Sequence, residues 1–250
     1  MKKSALFFFS LLLLGFATIQ AQTTQTILSP NQKLKLKVDL GGEIIRYSVS
    51  CENGEFLKPS SIGMELGSGT VLGREPIRSL RKGGRRSVDR MVASPLYRKD
   101  SIHEQYNELY LQYKAGYSVV FRVYNSGVAY RFVTTFKDSI IVRHETAEFN
   151  FSEGSSMGEL NGTKALIPYV NRKPAIDGDF SEQYCTSFEN TYVDTFLLYM
   201  AGDRLAFLPM LVSQNYHADG AYFSGLKIRF AVITESDLRD YPGMYLKHTE

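Results

Sequence analysis

The sequence has 250 residues, of which 44% are hydrophobic, so it can bury the core of one large domain. Its formal net charge of +3 is too small to indicate a dedicated nucleic-acid-binding protein, and we expect no nucleic-acid partner. There is no Trp, but the 16 Tyr and 16 Phe suit a β-rich fold, because aromatic side chains pack well on pleated sheets.

The N-terminal segment has the features of a secretory signal peptide. Lys2 and Lys3 supply a positive end, residues 6–15 form an apolar run, and the small residue Ala21 ends the segment. The apolar run is too short to cross a membrane comfortably as a helix, although an uncleaved anchor is the alternative. We therefore predict a signal peptide over residues 1–21, no membrane span after its cleavage, and a periplasmic or secreted mature chain.

Alternating patterns predict strands along much of the mature chain, residues 22–250. KLKLKVDL places Leu34, Leu36 and Val38 on one face and lysines on the other, as in a half-buried strand. Asn53-Gly54, between two strand-like runs, predicts a hairpin.

Later segments continue this pattern. YLQYKAGYSVVFRVYNSGVAYRFV predicts three strands separated at residues 115–116 and 125–127, and ETAEFNF alternates through Ala147, Phe149 and Phe151. Residues 226–233 alternate with apolar side chains at the even positions, and Met244-Tyr245-Leu246 begins another strand. Helical periodicity is hard to find, so we predict one all-β domain, a sandwich or a barrel.

Two segments break the alternation. Residues 73–90 contain seven basic side chains, opposed only by Glu75 and Asp89. We interpret this segment as a solvated, mobile loop between strands. A polyanion-binding patch is the alternative, but no stacking aromatic residues interleave with the charges. Residues 153–184 are rich in Gly, Ser, Asn, Pro and Asp and are predicted to be mostly loop, and long loops are often functional.

Carboxylates in the later loops are the candidates for chemistry: Asp177, Asp179, Glu182 and Glu189. A pair of carboxylates suits glycoside hydrolysis, whereas a cluster of oxygen ligands suits Ca²⁺. Their spacing does not choose between these uses and plain exposure to solvent.

The cysteines and histidines do not indicate a zinc site. Two cysteines, Cys51 and Cys185, and four scattered histidines lack the spacing of zinc ligands. An oxidising compartment permits a disulfide between the cysteines, but we expect two buried, reduced thiols instead.

Seven short motifs, in order, resemble the N-terminal domain of glycoside hydrolase family 97, whose members are secreted bacterial enzymes that cleave α-glucosidic or α-galactosidic bonds. The motifs are LSPNQKLKLKVDL, LKPSSIGMEL, QYNELYLQYK, VVFRVYNSGVAYRF, FENTY, LPMLV and ITESDLRDYPGMYL, spanning about residues 27–246. The resemblance implies a large antiparallel β-sandwich, similar to galactose mutarotases, over residues 22–250. In the family this domain packs against a following (β/α)₈ barrel.

The resemblance also implies where catalysis lies. In family members the barrel carries the catalytic acids, as is usual for that fold, and the substrate is an α-linked oligosaccharide. We expect this sequence to be a fragment that lacks the barrel and the last strands of the sandwich. We therefore expect it to be inactive alone, and to be poorly soluble or self-associating, because unpaired strand edges and an uncovered apolar face favour association.

One residue of the sandwich domain has an implied role. The family has a Ca²⁺-ligating glutamate in a Glu-x-x-Tyr context, which here is Glu189 with Tyr192; Glu182 is the second choice, because its spacing to the next tyrosine differs. A single glutamate supplies too few of the oxygens that Ca²⁺ takes, so we expect no tight Ca²⁺ binding by this chain alone.

The acidic residues of the closing motif have a simpler interpretation. We interpret Glu235, Asp237 and Asp240 as stabilising the local turn, since Asp side chains often bond nearby backbone N–H groups.

Two other functions remain open. One is a free-standing carbohydrate-binding β-sandwich module without catalysis, which the lack of Trp weakens. The other is a structural secreted sandwich that contacts other proteins.

Overall fold

The computed structural model describes residues 23–52, 54–76, 79–94, 100–150, 163–166, 205–207, 209–217, 226–236 and 245–247. These residues contain fifteen strands and no α-helix, which confirms the all-β prediction. The strands are β1 (Thr24–Leu28), β2 (Leu34–Asp39), β3 (Ile45–Cys51), β4 (Gly54–Leu66), β5 (Val71–Leu72), β6 (Leu80–Ala93), β7 (Ser101–Tyr113), β8 (Tyr117–Tyr124), β9 (Val128–Thr134), β10 (Val142–Ala147), β11 (Thr163–Leu166), β12 (Leu205–Phe207), β13 (Met210–His217), β14 (Leu226–Ile233) and β15 (Tyr245–Lys247).

The described strands form four sheets. The largest has the order β1-β2-β3-β4-β10, with β5 paired to β4, and a second has the order β6-β7-β8-β9. A third sheet joins β11, β13 and β14, and a fourth joins β12 and β15. All of the pairings are antiparallel. Strands that follow one another along the chain are mostly neighbours, so hairpins build much of the fold.

The six-stranded and four-stranded sheets share one hydrophobic core. Leu36, Val38 and Ile62 from the first sheet and Val119 and Phe121 from the second are completely buried in it. Each such side chain contributes about 1.5–3 kcal/mol when it leaves water. The apolar faces of the two sheets therefore cover each other, which confirms the predicted antiparallel β-sandwich.

Aromatic rings join the two layers. The ring of Tyr47 on β3 lies 6.2 Å from that of Phe121 on β8 and 5.7 Å from that of Tyr130 on β9, measured between centroids. Tilted ring pairs at such distances are favourable beyond the area that they bury.

Several of the strands predicted from alternation are confirmed. In β2, Leu36 and Val38 are buried and the intervening lysines are exposed. The chain breaks between β7 and β8 and between β8 and β9 at the predicted residues 115–116 and 125–127. β3 and β4 pair as a hairpin in which Cys51 lies opposite Gly54, and Gly54 has the positive φ of 105° that favours glycine in a turn.

The prediction of a loop over residues 73–90 is wrong from Leu80 onward, because the 14-residue strand β6 begins at Leu80. Its register places Arg86 opposite Glu108 and Arg90 opposite Glu104 of β7. Opposite charges directly across two strands stabilise the pairing, so a basic segment can form a strand. These partners are 22 and 14 residues away in sequence, and local alternation does not reveal them.

Other details differ from expectation. Cys51 is half-buried rather than buried, and its Sγ donates to the Gly54 carbonyl at 3.6 Å. In ETAEFNF, β10 ends at Ala147, residues 148–150 are not in a strand, and Phe151 lies outside the described residues. β11 lies within residues 153–184, which were predicted to be mostly loop. The other residues of that segment are outside the described part of the chain.

The final strands agree with the prediction. β14 covers Leu226–Ile233, and β15 begins at Tyr245. At the end of β14, however, Val232 is 57% exposed and Ile233 is 8% exposed. The buried side chain there is therefore at an odd position, not at an even one as the alternation predicted. No helix in the described residues is long and apolar enough to span a membrane, and the predicted signal peptide lies outside them.

Candidate functional site

The residues selected from the sequence lie outside the described part of the chain. This applies to Glu189 and Glu182, to Asp177 and Asp179, and to Cys185. In the described ranges, no group of three or more His, Cys, Asp or Glu side chains could hold a metal ion. Glu235 of the closing motif is described and half-buried, whereas Asp237 and Asp240 are not described.

The main polar cluster of the described chain lies on the face of the four-stranded sheet that points away from the core. Side chains alternate along β8, so Val119, Phe121 and Val123 enter the core and Arg122 lies on the opposite face. The same alternation in β7 sends Leu109 inward and places Glu108 on the outer face. The register then aligns Arg86, Glu108 and Arg122 in one row across β6, β7 and β8.

Glu108 is a buried carboxylate held by two arginines. Its side chain is only 6% exposed, and Arg86 Nε lies 2.7 Å from Oε1. Arg122 Nε lies 2.9 Å from Oε2, which Arg86 Nη2 also approaches at 3.2 Å. Burial alone favours the neutral acid, but the hydrogen bonds and charges of Arg122 and Arg86 outweigh it and lower the pKa of Glu108. The carboxylate is therefore ionised at neutral pH.

Tyrosines surround this row. The Arg122 guanidinium carbon lies 4.5 Å from the ring centroid of Tyr106, and the rings of Tyr106 and Tyr124 are 5.1 Å apart. Ser118 Oγ donates to Tyr110 Oη at 2.8 Å. A cation over an aromatic face gains about 0.5–2 kcal/mol. These contacts restrict the orientation of Arg122.

A second group of charges lies where β6 and β7 extend beyond β8. His103 Nε2 is 2.6 Å from Asp89 Oδ1, and Gln105 donates to Asp89 Oδ2 at 2.8 Å. Both hydrogen bonds lower the pKa of Asp89, and the one with His103 has the larger effect. Arg90 Nε is 2.6 Å from Glu104 Oε2. The charges of Asp89 and Arg90 are therefore compensated by neighbouring side chains.

Glu75 occupies a different environment at one end of the sandwich. Its Oε2 atom is buried and has no hydrogen-bond partner in the described structure. Burial raises the pKa of Glu75, although hydrogen bonds from the backbone of Glu75 and Gly73 act in the opposite direction. The adjoining surface is a shallow depression lined by Gly41, Gly42, Glu43, Arg74 and Pro76.

Sequence reasoning missed the row of Arg86, Glu108 and Arg122. A signal was present, because NELYLQY and VVFRVY each carry one charged residue inside a run of strand-forming side chains. A lone charge in such a run requires a partner if it is buried, and strand pairing supplies that partner.

Two facing antiparallel sheets with one shared core define the molecule as a β-sandwich protein. Residues 27–250 match the family described as Glycosyl-hydrolase 97 N-terminal, and the chain belongs to this family.

Among curated proteins, the chain is similar to a retaining alpha-galactosidase of Bacteroides thetaiotaomicron. The two are 38% identical over 250 residues, which is 100% of this chain and 34% of that protein. The chain thus spans about a third of the length of the curated relative that it matches.

Solved structures also resemble the chain. The crystal structure of a beta-arabinopyranosidase has a TM-score of 0.52 at 20% identity, with 83% of this chain and 35% of that chain covered. A Glycoside Hydrolase Family 97 enzyme from Pseudoalteromonas sp. strain K8, in complex with acarbose, has a TM-score of 0.45 at 22% identity, covering 58% of this chain and 22% of that one. The likeness to the arabinopyranosidase is one of fold.

Proposed function

We propose that this chain is the non-catalytic β-sandwich part of a secreted α-glycosidase. It supplies a packing surface and one calcium ligand to a catalytic barrel, and the whole enzyme hydrolyses α-linked galactosides or glucosides. The observation that carries the proposal is the 38% identity to a retaining alpha-galactosidase along the whole of this chain. The match to the N-terminal family over residues 27–250 supports the same assignment.

Two observations on the described residues support this proposed division of labour. The outer-face row holds its one buried carboxylate, Glu108, ionised between two arginines, where it is a poor general acid. Burial raises the pKa of Glu75, but one buried acid does not by itself make the acid–base pair that glycoside hydrolysis uses. The chemistry is therefore assigned to the barrel, and the sandwich serves assembly and metal binding.

Glu189 is the proposed calcium ligand, with Glu182 as the second choice. A glutamate carboxylate is a hard oxygen ligand of the kind that Ca²⁺ takes, so the donor chemistry fits. The remaining ligands would come from the barrel. When bound, the ion would stabilise nearby ionised carboxylates and polarise a sugar hydroxyl.

The first test is an activity assay on a purified protein of these 250 residues without the signal peptide. We expect no release of p-nitrophenol from p-nitrophenyl α-galactoside or α-glucoside above the rate of a buffer blank. Calcium-dependent release that survives further purification would place catalysis within this chain and overturn the division of labour.

The second test is calorimetry with Ca²⁺ on the same protein. One glutamate provides too few of the six to eight oxygens that Ca²⁺ takes, so we expect no binding in the micromolar range. Micromolar binding would mean that the chain holds a complete site of its own.

The alternative of a free-standing carbohydrate-binding module is tested by titration with oligosaccharides of α-linked glucose and galactose. A module of that kind binds such sugars without any partner. We expect no heat of binding for this chain alone, and saturable binding would favour the module.

Localisation is a further part of the proposal. Residues 1–21 are proposed to direct export and to be removed, leaving a periplasmic or secreted chain. Mass spectrometry of the protein recovered from the periplasm of a bacterial host would show an N-terminus at Gln22. A mature protein that keeps Met1 to Ala21 would contradict it.

A further inference from the structure

We propose that the outer face of the four-stranded sheet carries an oxyanion-binding site built from Arg86 and Arg122, which Glu108 positions, with Arg131 at its border. The ligand class is a carboxylate or a phosphate. Its residues are not the proposed calcium ligands, and the inference does not depend on calcium binding.

The buried carboxylate of Glu108 organises the site. Both of its oxygens contact guanidinium groups, and the two arginines approach it from neighbouring strands on either side. Arg86 uses Nε and Nη2 for this contact, and Arg122 uses Nε. The Nη1 group of Arg86 takes no part in it. Two guanidinium groups are thus fixed in orientation before any ligand arrives, which lowers the entropy cost of binding.

The charge of the row is not balanced. Glu108 provides one negative charge against the positive charges of Arg86 and Arg122, which leaves one positive charge in the row. Arg131, on β9, lies opposite Val120 and is therefore diagonal to Arg122 on the same face. Its exposed side chain adds a second positive charge at the border of the site. The neighbouring Arg90–Glu104 pair is neutral and adds nothing to this excess.

The site is accessible on one side and rigid on the other. The side chain of Arg86 is 60% exposed and that of Arg122 is 25% exposed, whereas Glu108 is almost fully buried beneath them. Tyr106, under the Arg122 guanidinium, is only 2% exposed. A ligand can therefore reach the remaining guanidinium donors from solvent without displacing the carboxylate.

The geometry of arginine selects the ligand class. The planar guanidinium fork matches the paired oxygens of carboxylate and phosphate, and charge-assisted hydrogen bonds of this kind are about twice as strong as neutral ones. A neutral sugar hydroxyl would gain nothing from the excess positive charge. The shared chemistry is an oxyanion, free in solution or presented by an acidic protein segment.

The experiment is an NMR titration of the full chain in which the arginine Nε–Hε signals are followed at constant ionic strength. One arm uses inorganic phosphate and the other an acetylated tri-glutamate peptide, with sodium chloride as the reference. We expect saturable shifts for Arg86 and Arg122 in at least one arm. Tighter binding of the peptide identifies a protein carboxylate as the ligand, and tighter binding of phosphate identifies a free anion.

Three variants make the titration decisive. Arg86→Lys keeps the charge but loses the fork, and we expect about tenfold weaker binding, which corresponds to about 1.4 kcal/mol. Arg131→Gln removes an exposed side chain at the border without touching Glu108, and we expect about threefold weaker binding. Arg143→Gln, at an exposed position on β10 of the other sheet, is the matched control and should not change the affinity.

Two results would overturn the proposal. One is the absence of saturable shifts at Arg86 and Arg122 in both arms. The other is an Arg143→Gln affinity reduced as much as that of Arg131→Gln, because binding would then follow net charge rather than this site.

Discussion

At Gly73 the backbone passes so close to β4 that no side chain fits. Its φ is +93°, and a Cβ atom there would lie 2.8 Å from the carbonyl oxygen of Ile62. The same residue donates its N–H to Tyr117 Oη at 3.0 Å and accepts from the backbone N–H of Ile45 at 2.9 Å. Gly73 thus links both layers of the sandwich.

We expect Gly73→Ala to lower the free energy of unfolding by about 2 kcal/mol or more, from positive-φ strain and the clash with β4. The measurement is urea denaturation followed by circular dichroism. Gly69→Ala is the control, because Gly69 has φ +83° but open space around it, and it should lose only about 1 kcal/mol. Equal losses for the two variants would show that the contact with β4 is unimportant.

Glu108 and Glu75 have pKa shifts of opposite sign, and this predicts opposite effects of neutralising them. Glu108 has a lowered pKa in the folded chain, so its contribution is present above the unfolded pKa and is lost as pH falls through the folded pKa. Glu75 has a raised pKa, so its contribution is present below the unfolded pKa and is lost as pH rises through the folded one.

We expect Glu108→Gln to lower the free energy of unfolding at pH 7 by about 2 kcal/mol, because two arginines lose their buried counter-charge. The loss is limited because Arg86 stays in contact with water. Glu75→Gln should raise stability at pH 7, because a buried carboxylate oxygen without a partner no longer carries charge. Denaturation curves between pH 3 and pH 7 check both signs. Equal destabilisation of both variants across that range would contradict the opposite environments of Glu108 and Glu75.

At the scale of elements, the ribbon formed by the distal ends of β6 and β7 stands out. β8 pairs with β7 only over residues 106–112, so residues 89–93 and 101–105 pair with each other beyond its edge. Met91, Val92 and Ile102 are exposed there by 63%, 37% and 43%. Val92 lies opposite Ile102, so the two form one apolar pair on a two-stranded ribbon.

We expect this ribbon to promote self-association of the isolated chain. Replacing Met91 by Gln and Ile102 by Thr removes a few apolar groups, which should weaken association by about 1–2 kcal/mol, or about tenfold. Sedimentation at several protein concentrations measures the effect. Ile141→Thr, at a 74% exposed position after β9, is the matched control. If the control acts as strongly as the ribbon variant, exposed apolar area in general causes the association.

Strands with local sequence signals could be predicted, whereas a strand that depends on distant partners could not. β2 and β7–β9 could be predicted, because alternation and turn residues are local signals that one strand carries by itself. β6 could not, because its arginines are stabilised by acids on β7 that only the register brings opposite. The burial of Glu108 was hidden for the same reason. The candidate calcium ligand came from the family resemblance, since the spacing of its neighbours carried no metal signal.

At the scale of the whole molecule, two sheets share one hydrophobic core, and the family match covers residues 27–250. The chain corresponds to about a third of the curated relative. Its proposed role is therefore tested best inside a longer enzyme that contains the proposed catalytic partner and metal site.

The most direct measurement is the calcium dependence of a chimera in which this chain replaces the matching third of the Bacteroides thetaiotaomicron alpha-galactosidase. We expect the chimera to hydrolyse p-nitrophenyl α-galactoside, and we expect Glu189→Gln to raise the Ca²⁺ concentration for half-maximal activity at least tenfold. Glu148→Gln, which alters a described glutamate bonded to the Ser61 N–H, is the control and should leave that concentration unchanged. An active chimera whose calcium dependence is the same with Glu189→Gln would contradict the proposed role of this chain.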